Sequence, residues 1–168
     1  HAFKKVFLTT FFIYYLYLDN QCKPVLKKSF FDNNIVYISY NIHTDKLKKL
    51  SDEKVMYATF SPKGDKVAYV YKNNLYIKNL NTQKIIQVTT DGKKNHIING
   101  ASDWVYEEEF GLARSFEWSP DGENIAYYKF DESNVKEFSM DLFKNGLYPT
   151  QEVFKYPKAG EENSVIKI

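Results

Sequence analysis

Along most of the chain, apolar and polar positions alternate in short runs that are broken every few residues by turn-forming pairs. In the best-defined stretch this pattern predicts strands near Met56–Phe60, Lys66–Tyr71, Asn74–Asn79 and 84–89. Ser61-Pro62-Lys63-Gly64, Asn73-Asn74 and Asp91-Gly92 punctuate them. Proline presets φ in such turns, while Gly and Asn accept backbone angles that other residues avoid. Four short antiparallel strands joined by tight turns read as one blade of a β-propeller. Upstream, residues 35–42 are rich in β-favouring side chains, His43-Thr44-Asp45 reads as a turn, and 46–50 as another short strand.

The pattern repeats. Asn41-Ile42-His43-Thr44 and Lys46-Leu47 are answered by Asn79-Leu80-Asn81-Thr82 and Lys84-Ile85, and Leu50-Ser51 by Val88-Thr89. The offset of 38 residues is close to the period of a four-stranded blade. A second repeat sets Phe60-Ser61-Pro62-Lys63-Gly64 against Trp118-Ser119-Pro120-Asp121-Gly122, each followed by an apolar strand, at an offset of 58. About twenty additional residues therefore lie between Asp91-Gly92 and the strand leading into Trp118. They are expected to leave the sheet as an excursion, the kind of segment on which binding residues are carried by a rigid scaffold. The expected fold is all-β: a partial β-propeller of about three to four blades of four-stranded antiparallel sheet, with a short helical insertion.

Composition narrows the function. Across 168 residues, 23 basic side chains against 21 acidic ones leave a net charge of +2, too balanced for phosphate tracking along nucleic acid. Aromatics reach 17%, which suits half-buried pleated surfaces. Cys22 is the sole cysteine, and His1, His43 and His96 lack ligand-like spacing, so no disulfide, metal or cofactor is expected. Arg114 is the only arginine in a Lys-rich chain, a composition with a bacterial look.

The chain opens on His1, as a fragment or a processed product would. Lys4-Lys5 precede an apolar run over 6–18, which matches the core of a signal peptide in length and equally matches a buried strand. No A-x-A-like cleavage site follows, and Asp19-Asn20-Gln21 before Cys22 is not the small-residue context of a lipidation site. Residues 1–34 are treated as a leader separate from the propeller part over 35–168.

The excursion contains Asn99-Gly100-Ala101-Ser102-Asp103-Trp104-Val105-Tyr106-Glu107-Glu108-Glu109-Phe110-Gly111. Ser102 or Asp103 suits the N-cap of a short helix and Gly111 its end. Trp104, Val105 and Phe110 are expected to pin one side to the propeller, leaving the three glutamates on the other. A run of three glutamates is by itself an ordinary solvated face. Acid–base hydrolysis is the weaker chemical alternative, because no second acid cluster is visible. Cation capture fits better: neighbouring carboxylates repel, and a cation between them relieves that repulsion. A peptide α-amino group is largely charged at neutral pH and has three donors to share. At about 4 Å and an effective dielectric near 20, each contact contributes ~4 kcal/mol of Coulomb energy before desolvation.

Asp103-Trp104-Val105-Tyr106-Glu107-Glu108-Glu109 closely resembles the double-glutamate motif of dipeptidyl peptidase IV and related prolyl oligopeptidase-like serine peptidases. Asn99-Gly100, Trp118-Ser119-Pro120, Tyr156-Pro157-Lys158-Ala159-Gly160 and Asn163 extend the resemblance. It implies an amino-terminal propeller over an α/β-hydrolase domain, in an exported enzyme of the bacterial periplasm or cell surface. Glu108 and Glu109 would hold the free amino terminus of a peptide substrate, so that dipeptides are released, commonly after Pro or Ala. Glu107 would be a framework residue, with Trp104 and Tyr106 as packing. A homodimer of the parent is a further implication.

Three departures qualify the resemblance. No Gly-x-Ser-x-Gly elbow occurs in the chain and its histidines form no triad pattern, so this stretch is expected to bind an amino terminus without cleaving. No catalytic residue is assigned within it. By the same resemblance, the family's propeller arginine is matched to Lys27-Lys28-Ser29-Phe30, which offers only point charges. Ser164 stands where relatives usually carry Pro after Asn163, a change expected to be minor. Two competing readings stand beside a dipeptidyl peptidase: a prolyl tripeptidyl peptidase with a longer reach, and a noncatalytic propeller interaction module.

Overall fold

Turn chemistry sets where the strands begin and end. The computed structural model describes residues 17–18, 24–25, 37–41, 46–143 and 147–168. Its strands are β1 (Tyr17–Leu18), β2 (Pro24–Val25), β3 (Ile38–Asn41), β4 (Lys46–Lys49), β5 (Met56–Phe60), β6 (Lys66–Tyr71), β7 (Asn74–Asn79) and β8 (Ile85–Gln87). After β9 (Ile97–Asn99) comes the helix α1 (Trp104–Phe110). Then follow β10 (Phe116–Trp118), β11 (Ile125–Tyr127), β12 (Lys129–Asp131), β13 (Glu137–Leu142), β14 (Thr150–Lys155) and β15 (Val165–Lys167). All described pairings are antiparallel. The bulk of the expected leader, and the stretch Lys27-Lys28-Ser29-Phe30, lie outside the described residues.

Strands β5-β6-β7-β8 form a four-stranded meander, the predicted blade. Between β6 and β7, Lys72 and Asn73 have φ of 47° and 59°. Two successive positive angles make the turn whose twist matches that of the strands it joins. The Ser-Pro-x-Gly repeat is a repeat of hydrogen bonds as well as of letters. The Gly64 N–H donates to the Ser61 carbonyl at 2.8 Å and the Gly122 N–H to the Ser119 carbonyl at 2.9 Å. The serine hydroxyls accept from the backbone N–H of Lys66 (3.1 Å) and Asn124 (2.9 Å) in turn. The two turns lie side by side, with Glu123 receiving Lys63 Nζ at 2.7 Å and Lys66 Nζ at 3.1 Å. Equivalent points of successive blades are thus neighbours in space.

Strand β6 is buried on both faces, as a blade between two neighbours requires. Ala68 and Val70 pack with Tyr57, Leu75, Ala101 and Phe116 on one side. Val67 and Tyr69 pack with Tyr37, Leu50 and Val55 on the other. The split follows the period-two alternation of side chains along a strand. Each fully buried Val or Leu contributes on the order of 1.5–3 kcal/mol.

Two expectations change. The last strand of the blade stops at Gln87 instead of residue 89, because the Thr89 side chain turns inward. Its hydroxyl accepts the Leu75 N–H at 2.9 Å and donates to Asn74 Oδ1 at 3.1 Å, replacing a ladder bond. The excursion is also not wholly outside the sheets: Ile97–Asn99 is strand β9, paired with β12 in the order β15-β12-β9. Its root is tied to the blade by the buried Asn99, whose amide donates to the Asn73 carbonyl (3.2 Å) and to Asp91 (2.9 Å). Lys129 pairs with the same Asp91. Among the described residues, no helix is long and apolar enough to cross a membrane.

Candidate functional site

Seven residues are too few for a helix to persist in water on their own, so α1 depends on its ends and its neighbours. Asp103, not Ser102, is the N-cap: its Oδ1 accepts the Tyr106 N–H at 3.0 Å. Its other oxygen accepts from the Ser164 hydroxyl, which ties the cap to the entry of β15. At the far end Gly111 takes φ 66° and donates its N–H to the Tyr106 carbonyl. Only glycine adopts that left-handed angle without steric cost.

Aromatic contacts hold the helix against the sheets. Trp104 meets Tyr156 edge-on at 4.6 Å between centroids, and Tyr106 meets the fully buried Phe130 at 5.3 Å. Such pairs contribute about 0.5–1.5 kcal/mol beyond the area they bury. The expectation that Phe110 is one of the pins is corrected: it is 70% exposed, and Tyr106 does that work, with the Phe110 ring tilted against it at 5.2 Å between centroids. The three glutamates do not share one face either. Glu107 is half-buried, and its negative charge adds to burial in raising the pKa of the Tyr57 hydroxyl on β5.

Glu108 and Glu109 are exposed on the last turn of α1. Adjacent helical positions are about 100° apart around the axis, neither superposed nor opposed. Glu109 lines a shallow cleft of about 320 Å³ with Trp104, Tyr156, Pro157, Lys158 and Asn163, and Glu108 is not among the residues that line it. Among the described residues neither has an ion-pair partner. No basic residue occupies that turn. Carboxylates at a helix C-terminus oppose the exposed carbonyls there, and a cation answers both. The arrangement is poor for helix stability and well suited to receiving positive charge.

Beneath the N-cap, Glu132 is 6% exposed. Burial raises its carboxyl pKa to about 7, the negative charge of Asp103 adds to the rise, and Lys155 opposes it. Arg114 is engaged with Thr59 Oγ1 at 3.3 Å and with Glu117. Among the described residues, no group of three or more His, Cys, Asp or Glu side chains is placed to hold a metal ion. Sequence reasoning missed Tyr57, Glu132 and the bond made by Ser164. The one local signal among the three was the unusual residue at position 164.

A meander blade flanked by antiparallel strands, with a capped acidic helix carried between blades, is a segment of a β-propeller. The chain belongs to the family described as the dipeptidyl peptidase IV (DPP IV) N-terminal region, whose model matches residues 14–168. Crystallographic dipeptidyl peptidase 4 from Porphyromonas gingivalis superposes with a TM-score of 0.74 at 43% identity, over 83% of this chain and 20% of that one. Mouse prolyl endopeptidase FAP is 41% identical over 116 residues, which is 68% of this chain and 15% of that protein. Mouse inactive dipeptidyl peptidase 10 is 32% identical over 160 residues, 92% of this chain and 20% of its own length. The chain thus spans a fifth or less of these relatives.

Proposed function

We propose that this chain is the amine-anchoring part of the propeller of an exported serine exopeptidase, and that Glu108 and Glu109 together receive the free amino terminus of a peptide substrate. One observation carries the reading: two exposed, adjacent carboxylates sit without ion-pair partners among the described residues, at the negative end of a helix that is capped and packed against the blades. Holding the ammonium at a fixed distance from a nucleophile limits the released piece to two residues, commonly ending in Pro or Ala. An α/β-hydrolase domain of the same parent supplies that nucleophile. The peptide is the partner, the location is extracytoplasmic, and the chemistry is serine-type peptide hydrolysis.

The test uses the full-length parent. Glu108→Gln combined with Glu109→Gln abolishes turnover of a free-amine dipeptide reporter while the fold survives. Unchanged turnover removes the anchoring role. A three-residue reporter cleaved in preference to a two-residue one assigns the parent to tripeptidyl release instead. The noncatalytic reading is not separated from this one by likeness, since a relative named inactive and one named an endopeptidase match this chain at the same 32% identity and 92% coverage. A parent that cleaves neither reporter supports it.

A further inference from the structure

We infer that the β13–β14 ribbon is a positioning element for the acidic helix: a row of rings on one of its faces fixes Trp104, and through it the place of Glu108 and Glu109. This rests on the anchoring role proposed above and assigns the part of the chain that supports it. The row follows from the pleat. Phe138 and Phe154 are direct cross-strand partners, and Tyr156, two positions beyond Phe154, falls on the same face. The Tyr156 N–H donates to the Lys136 carbonyl at 3.0 Å, which carries the pairing one step past the strand end. Between centroids, the Phe138 ring lies 5.9 Å from Phe154 and 5.6 Å from Tyr156. Trp104, the first residue of α1, closes the cluster at 6.4 Å from Phe154 and 4.6 Å from Tyr156. All four distances are within the range at which aromatic rings attract one another.

Ribbon and helix each need the other. A two-stranded ribbon is marginal in water, and β13 is exposed from Glu137 to Asp141. The seven residues of α1 include none that is fully buried, so contacts at its start decide where it sits. The base of the ribbon is itself tied down: Lys155 Nζ donates to the Val135 carbonyl at 2.7 Å, and Lys136 pairs with Glu161 at 2.8 Å. Glu161 belongs to the loop that brings Ser164 to the Asp103 cap, so the ribbon and the cap share one support. Residues four apart on a helix share a face, which puts Glu108 one turn along from Trp104. Glu109 lines its cleft together with Trp104 and Tyr156. A shift of the Trp104 ring is thus felt at both glutamates, along the helix face at one and across the cleft at the other. Tyr106 against Phe130 holds the helix from a second side, so loss of a ribbon ring displaces α1 without unfolding it.

The experiment follows the kinetics of the full-length parent with a free-amine dipeptide reporter and its N-acetylated counterpart. Phe154→Ala is expected to raise KM for the free-amine reporter about tenfold, and Phe138→Ala, one ring further out, about threefold, each with kcat within about twofold. The N-acetylated reporter, which offers no ammonium, should change less than about twofold in kcat/KM. Trp104→Ala combined with Phe154→Ala should be no worse than the more severe single change, because both remove one ring contact. Met140→Ala, on the same ribbon face one row beyond the rings, should leave both reporters unaffected. The inference is overturned by an unchanged KM in Phe154→Ala, by an equal loss with the N-acetylated reporter, or by effects that multiply in the combination. A Met140→Ala effect as large as that of Phe138→Ala overturns it too. Should Phe154→Ala fold poorly, Phe138→Ala at the exposed end of the cluster carries the same test. Glu108→Gln with Glu109→Gln is measured alongside: if it leaves turnover intact, or wild type shows none, the anchoring role itself fails and the ribbon's role with it. Loss of turnover there with unchanged KM in both Phe154→Ala and Phe138→Ala refutes only the positioning role.

Discussion

The Ser164 hydroxyl donates to the carboxylate of Asp103, so the residue just before β15 also completes the cap of the acidic helix. Proline has no side-chain donor, and the serine at this position therefore does more than the minor replacement expected from the sequence. Asp103→Ala removes both the cap and its partner, and is expected to cost about 1–2 kcal/mol of propeller stability. Ser164→Ala is expected to cost about 0.5–1.5 kcal/mol. Denaturant unfolding of the two single variants and the double checks this: the double should fall short of the sum, since both changes break one contact.

Glu132 makes stability depend on pH. Its carboxyl titrates near 7 in the folded chain, above the ordinary value of 4.5, because burial and the Asp103 charge penalise the ionised form. The folded state thus keeps a proton that the unfolded state releases across roughly pH 4.5–7, and stability falls as pH rises through that window. Glu132→Gln should remove this dependence, with little effect at pH 4 and a gain of about 1–3 kcal/mol at pH 8. Thermal unfolding at the two pH values measures it, and a variant with the wild-type pH profile speaks against the assignment.

Glycine substitutions separate backbone strain from packing. Gly64 and Gly100 have φ of 72° and 77°, so each strains on receiving a side chain. A Cβ at Gly64 meets nothing within 4 Å, whereas one at Gly100 comes within 3.2 Å of Leu75 and Val70 and 3.3 Å of Phe116. Gly64→Ala should cost about 1 kcal/mol and Gly100→Ala about 2–4 kcal/mol, the excess being overpacking beneath the acidic helix. Chemical denaturation of both variants tests the difference.

How far the fold could be read from residues depended on how local its causes are. Ser61-Pro62-Lys63-Gly64 and Ser119-Pro120-Asp121-Gly122 were legible because turn chemistry is settled within four or five positions. Asp103 and Gly111 were legible for the same reason. Strand β9 was not, because its partner β12 lies beyond the helix and no periodicity in Ile97–Asn99 points there. The burial of Tyr106 in preference to Phe110 depends on Phe130, which comes from another strand. The glutamates were legible as a motif, while the half-burial that sets Glu107 apart from the exposed Glu108 and Glu109 depends on packing that no local pattern announces.

The most direct test of ammonium capture is the ratio of kcat/KM for a free-amine dipeptide reporter to that for its N-acetylated counterpart, in the full-length parent at neutral pH. The wild type should prefer the free amine by at least about a hundredfold, and Glu108→Gln with Glu109→Gln should bring the ratio close to one. A variant that keeps the wild-type preference would contradict the account.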